Sequence, residues 1–277
     1  MDFVNFRIGA KTISLKILDI LLTERYDDNL TSLPNEHKAF LGVKDYMDIP
    51  TPVFDLGIML NGVSTKQSNA NLAHKLDQFI TLNKTWFTAL ENAVENTQAM
   101  TNEYDDDIRQ FVRWYQNMHA HDSDLKDILQ RLSDSHQRLL EQAKLVRTAT
   151  QEQGREILSY EKHHSFAHLN RLLETAKDQI LYNYKPIIVF TTKDGLNPYI
   201  GLLIDRVEDS ISVERDDIKS LSELTSVGFN IDNETKHMMA GLIKLGDSHS
   251  VIIEPSAIFR PEHLSHSPEE TPAYGLF

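Results

Sequence analysis

Glu161, His164 and His168 are spaced three and four residues apart, so on one helix they would share a face, with His163 alongside. A His-x-x-x-His pair can bind a transition metal, and a carboxylate one turn earlier would add a ligand. The same spacing also arises on solvated helix faces, where it does no chemistry. His119 and His121 beside Asp122 give a weaker signal of the same kind in a loop. No Gly-x-Ser-x-Gly elbow, Walker loop or Gly-x-Gly-x-x-Gly turn occurs in the sequence. Hydrolase, nucleotidase and dehydrogenase chemistry therefore has no anchor, and no catalytic residue is assigned. With zero cysteines, disulfides, thiolate chemistry and Cys-ligated zinc are excluded.

The elements that would position such residues change type twice along the chain. Strand-like alternation holds over residues 1–62, stops at Gly62, and resumes over 185–259 from Lys185. Phe3 to Ile8, a Gly9-Ala10 turn and Lys11 to Ile17 read as a hairpin. Strands are expected at about 39–47, 51–56, 187–192, 199–204, 207–213, 237–245 and 249–254. Between the two β blocks, residues 66–182 follow a helical period. Leu72, Leu76, Phe79, Asn83, Trp86, Leu90 and Val94 form one stripe. Phe111, Trp114, Tyr115 and Met118 form a second, after an acidic start at Asp105-Asp106-Asp107 that suits a helix N-terminus. Leu125, Leu129, Leu132, His136, Leu139 and Ala143 form a third. Leu158, Leu169, Leu172, Ala176 and Ile180 form a fourth, after a break near Gln153-Gly154. Four amphipathic segments with short loops predict a four-helix bundle, inserted into a β fold rather than appended to it. Residues 261–277, rich in Pro, Ser, His and Glu, read as a disordered tail.

The 277 residues allow two ordinary domains, and 40% hydrophobic with 25% charged residues describes a soluble globular chain. No apolar run approaches the roughly 20 residues that span a bilayer, and no basic-then-apolar leader stands at the amino terminus. A cytoplasmic location and no direct membrane insertion are expected. The net charge of −13 argues against nucleic acid as a partner. The charge is uneven: residues 64–182 carry 14 basic and 17 acidic side chains, leaving 14 basic against 24 acidic elsewhere. An acidic β scaffold suits protein partners with basic patches, although solubility alone would also account for it.

The β blocks carry five stretches in order: Phe6-Arg7-Ile8-Gly9, Gly42-Val43-Lys44-Asp45-Tyr46-Met47-Asp48, Pro52-Val53-Phe54-Asp55-Leu56, Ile187-Ile188-Val189-Phe190, and Ile200-Gly201-Leu202-Leu203-Ile204-Asp205-Arg206-Val207. Together they resemble the CheW-like coupling proteins of bacterial chemotaxis. The resemblance implies an α+β chain in which a pair of small five-stranded β-barrels is interrupted by the helical insert, with no catalytic centre. Physically, Gly42 and Gly201 suit positions where a Cβ would crowd a neighbour. Asp55 and Asp205 each end an apolar strand and suit bonds to backbone amides at a bend. The family's arginine in its Asn-Leu-Arg-Gly turn is Met47 here, and the following glycine is Asp48. The family's Val-x-Glu contact falls on Ile20 and Leu22. A charged contact surface has become apolar, and Ile20, Leu22, Met47 and Asp48 are the candidate partner-binding residues.

The insert is similar to the chemoreceptor zinc-binding domain, a four-helix bundle with three histidines and a cysteine on zinc. Trp86, Trp114-Tyr115 and His136 fall on that pattern. The ligand positions carry Asn83, Arg109, Leu132 and His136, so a single donor is kept where a structural zinc needs about four. No cofactor is expected, zinc being the one ion the resemblance raises. The function implied is a noncatalytic adaptor. It would couple the cytoplasmic tip of a chemoreceptor to the regulatory domain of a CheA-type histidine kinase, with modulation by the insert. The alternative is a ligand- or metal-sensing protein that uses the helices and docks through the β blocks.

Overall fold

The structure, a computed structural model, describes residues 1–34, 37–97, 103–116, 123–220, 236–246 and 248–258. The chain divides into two compact units, residues 1–65 with 185–277, and residues 66–184.

In the first unit, β1 (Asp2–Ile8) and β2 (Lys11–Lys16) form the expected hairpin, with Ile8 opposite Lys11 and Gly9 at φ 58° in the turn. β3 (Ile20–Arg25), β4 (Phe40–Tyr46) and β5 (Ile49–Asp55) follow, then a short helix α1 (Leu56–Asn61). After the insert come β6 (Ile187–Thr192), β7 (Pro198–Ile204), β8 (Arg206–Ser212), the two-residue β9 (Ile218–Lys219), β10 (Met239–Leu245) and β11 (Ser248–Ile253). One sheet runs β8-β1-β2-β11-β10-β9 and the other β3-β6-β7-β5-β4, each with one parallel pair, β2 with β11 and β5 with β7.

Both faces of these strands carry apolar side chains. Phe6, Ile8, Ile13, Leu15 and Val251 from the first sheet meet Phe54, Val189, Ile200, Leu202 and Ile204 from the second in one buried cluster. On the opposite face of the second sheet, Val53, Ile188, Phe190 and Leu203 form a separate core, and Phe3, Ile243 and Ile252 do the same in the first. Each sheet therefore curls around its own small core while sharing the larger one.

The expected five-stranded barrels are corrected in two respects. The first sheet has six strands, and neither sheet closes into a ring of hydrogen bonds among the described residues. In the second sheet the free edge of β4 is occupied by Thr31, which exchanges two 2.8 Å backbone bonds with Val43. The loop after β3 thus takes the position at which β3 itself would have closed the ring. In the first sheet β9 is only two residues long, too short to offer a second ladder to β8.

The second unit holds α2 (Thr65–Glu95), α3 (Glu103–Gln116), α4 (Ser123–Thr148), α5 (Gln151–His163) and α6 (Ser165–Tyr182). Among the described residues there are five helices where four were expected, because the fourth stripe is divided between α5 and α6. The break expected near Gln153-Gly154 lies instead at Thr150. Its hydroxyl accepts the Gln153 N–H while the Gln153 side chain accepts the Thr150 N–H, a reciprocal cap that makes Gln153 part of the first turn. A second break falls at His164, whose φ −110° and ψ −91° leave the helical region. The stripes pack as one core that includes Leu76, Phe79, Trp86, Phe111, Leu132, Leu139, Leu158, Leu169 and Ala176. Gln151 donates to the carbonyls of Val94 and Glu95 at 3.1 and 2.9 Å, which satisfies the end of α2. Among the described residues no helix is long and apolar enough to cross a membrane. Met118, His119, His121, Asp122 and the 261–277 tail lie outside the described residues.

Candidate functional site

The β4–β5 connection is a two-residue turn, Met47-Asp48, closed by Tyr46 opposite Ile49. Hairpin turns of this length match the strand twist when both central residues have positive φ, a demand usually met by Asn-Gly. Here φ is 49° at Met47 and 63° at Asp48. Aspartate tolerates that region through local hydrogen bonding, whereas methionine gains nothing from it. Met47 is also 76% exposed, so its strain is not offset by burial. The base of the turn is firm: the Tyr46 ring stacks on Phe190 at 5.1 Å between centroids. A rigid hairpin therefore holds an apolar side chain out in solvent.

Ile20 and Leu22 do not join Met47 on one face. A bulge in the pairing of β3 with β6 lies between Ile20, opposite Thr191, and Leu22, opposite Phe190. Ile20 then packs on the core shared by the sheets, and Leu22 packs with Leu21 on the core inside the second sheet. Both are partly buried. Asp48 is exposed beside Met47.

Asp55 and Asp205 meet backbone amides. Asp55 caps α1 by accepting the Ile58 N–H at 3.0 Å, and Asp205 accepts the Gly9 N–H at 2.5 Å. Burial pushes both carboxyls above their ordinary range. They hold the chain at the carboxyl ends of two parallel neighbours, β5 and β7, and act as structural ties.

In the insert, Asn83 and His136 are fully buried, and neither the Asn83 amide nor either His136 ring nitrogen has a hydrogen-bond partner. His136 meets the Phe79 ring edge-on at 5.5 Å and lies 6.3 Å from Tyr115, and Phe79 stacks on Phe111. Burial alone pushes the His136 pKa down to about 4. Leu132 is buried hydrocarbon and Arg109 is exposed on α3. An amide, an exposed cation, a leucine and one imidazole do not make a zinc donor set. Asn83 and His136 are instead buried in the helical unit, His136 among the rings of Phe79 and Tyr115.

Glu161 is buried, with its Oε1 3.9 Å from Arg138. His164 and His168 are exposed, and the backbone break at His164 removes the single helical face that would align the three. His164 stacks on Tyr160 at 3.9 Å and its Nδ1 lies 2.7 Å from the Tyr160 carbonyl. Among the described residues no group of three His, Asp or Glu side chains could hold a metal ion.

No family model and no curated protein matches the sequence. A solved structure does. It is the crystal structure of the scaffolding protein TtCheW from Thermoanaerobacter tengcongensis, 13% identical over 91% of this chain and 87% of that one, with a TM-score of 0.40. At that distance the likeness carries no functional weight, and the chain's own residues must supply the reasons. Sequence reasoning had no means of finding one of them, the positive φ of Met47, because Met-Asp is not a usual hairpin pair.

Proposed function

We propose that the chain is a noncatalytic adaptor of the chemotaxis type. Its β unit would couple a chemoreceptor's cytoplasmic tip to the regulatory domain of a CheA-type histidine kinase, and its helical insert would modulate that coupling. The observation that carries this reading is the Met47-Asp48 turn. A residue held in a disfavoured conformation and left in solvent costs stability without local return, as expected where a second protein completes the contact. That turn is also where the family resemblance puts a partner-contacting residue. Placing a charge there by Met47→Glu should weaken kinase-domain binding about tenfold, since an apolar contact would then carry an unpaired charge. Unchanged affinity in a titration would remove Met47 from the interface.

A second reading is favoured by one specific observation, the unpartnered polar atoms of Asn83 and His136. Under it the insert senses a ligand or metal and the β unit is its docking base. Elemental analysis of protein purified without a histidine tag separates the two. Stoichiometric metal supports sensing, and metal-free protein that still binds the kinase domain supports the adaptor.

A further inference from the structure

Three connections lie at one end of the five-stranded sheet. The turn 193–197 joins β6 to β7, and Thr192 pairs with Pro198 at its base. Ile20, at the start of β3, pairs with Thr191, so the short 3-10 helix Ile17–Asp19 before it lies at the same end. β5 runs parallel to β7 with Val53 level with Gly201, which brings Met47-Asp48 level with the 193–197 turn. Each connection exposes a large apolar side chain: Leu18 at 87%, Leu196 at 78% and Met47 at 76%, with Ile17 beside Leu18 at 42%.

These tips are not slack. The Asp194 carboxylate accepts the N–H groups of Leu196 and Asn197 at 2.8 Å each, and these bonds hold it ionised well below the usual carboxylate range. Leu196 is thereby fixed outward. Lys16 is tied to Glu254 at 2.8 Å and lies 3.8 Å from Asp19 at the base of the Leu18 tip. With strands about 4.8 Å apart, the order β3-β6-β7-β5-β4 sets successive tips about 7 and 10 Å apart along the curled sheet, steps that one to two helical turns match.

The surroundings are acidic. Asp45, Asp48 and Asp194 border this rim, and Asp19 and Glu254 share the single cation Lys16; the other cation, Lys193, lies 3.7 Å over the Tyr199 ring. A second copy of the chain would bring carboxylates against carboxylates.

We propose that Leu18, Leu196 and Met47 form an apolar docking rim for an amphipathic helix of another protein, one whose apolar ridge is flanked by Lys or Arg. Leucine and methionine tips would seat between ridge side chains while the flanking cations meet the acidic border. The rim keeps this preference whether or not the partner is a kinase domain.

The probes are two helical peptides of about 18 residues with one leucine face, one flanked by lysine and the other by glutamate. Each is titrated into the full chain and into a Leu18→Ser/Leu196→Ser variant. Both substituted side chains are exposed, so the variant keeps its fold. The expected result is binding of the lysine peptide, weakened about tenfold or more in the variant, with amide shifts at the three tips and little binding of the glutamate peptide. Variant affinity within about twofold of the parent, or equal binding of both peptides, would overturn the proposal. Sedimentation showing that the chain pairs with itself through the rim, with pairing lost in the variant, would overturn it too.

Discussion

Met47 and His136 each sit where their chemistry is poorly served, and each gives a measurable consequence. A left-handed backbone costs a residue with a Cβ about 1–2 kcal/mol. Replacing Met47-Asp48 by Asn-Gly, the pair such turns favour, should raise the stability of the β unit by about 1 kcal/mol in urea unfolding while weakening partner binding. A variant no more stable than the parent would show that the turn stores no strain. For His136 the sign follows from the protons bound. The unfolded chain takes up a proton near 6.5, whereas the folded imidazole stays neutral down to about 4. Stability is therefore complete above pH 6.5 and falls by about 3 kcal/mol as the pH drops to 4. Helical circular dichroism should follow this loss, and His136→Leu should remove that part of the pH slope. Asn83→Leu should stabilise the insert by about 1 kcal/mol, because it removes a buried amide that has no partner. Destabilisation instead would mean that something occupies that amide in solution.

Elements built on side-chain period were legible in the sequence, and those set by backbone geometry were less so. The continuous β-branched and aromatic run over 187–192 marked β6 to the residue, and every member of the fourth helical stripe is buried. The spacing of Thr150 and Gln153 held the capping signal, but Gly154 drew the break toward itself. That glycine lies inside α5, where an added Cβ would come within 3.2 Å of Val94. α1 escaped notice because six residues between an aspartate cap and Gly62 are too few to show a period. The bulge that separates Ile20 from Leu22 leaves no mark in composition, so the pair reads as one surface until the register is known. Gly42 was legible for a physical reason: its φ is 148°, and a Cβ would stand 2.7 Å from the Thr31 carbonyl oxygen. Gly42→Ala should cost about 3 kcal/mol and release the Thr31 bridge, which hydrogen exchange at Thr31 and Val43 would report. Slow exchange in a stable variant would show that the edge tolerates a side chain.

At the scale of the whole molecule, charge separates the two compact units. Of 28 basic and 41 acidic side chains, residues 64–182 hold 14 and 17, so most of the excess negative charge lies outside the insert. The acidic excess falls on the unit that carries Met47. Association with a basic partner should therefore slow as salt rises, mainly through the on-rate, because the Debye length shrinks from about 10 Å at 0.1 M to about 3 Å at 1 M. A rate indifferent to salt would indicate a purely apolar contact. The most direct test of the adaptor function is calorimetric titration of the full chain with the regulatory domain of a CheA-type kinase from the same cell. Micromolar binding that weakens in the Asn-Gly variant at Met47-Asp48 is the predicted result. No binding by the correctly folded chain would contradict the adaptor function and shift attention to the helical insert.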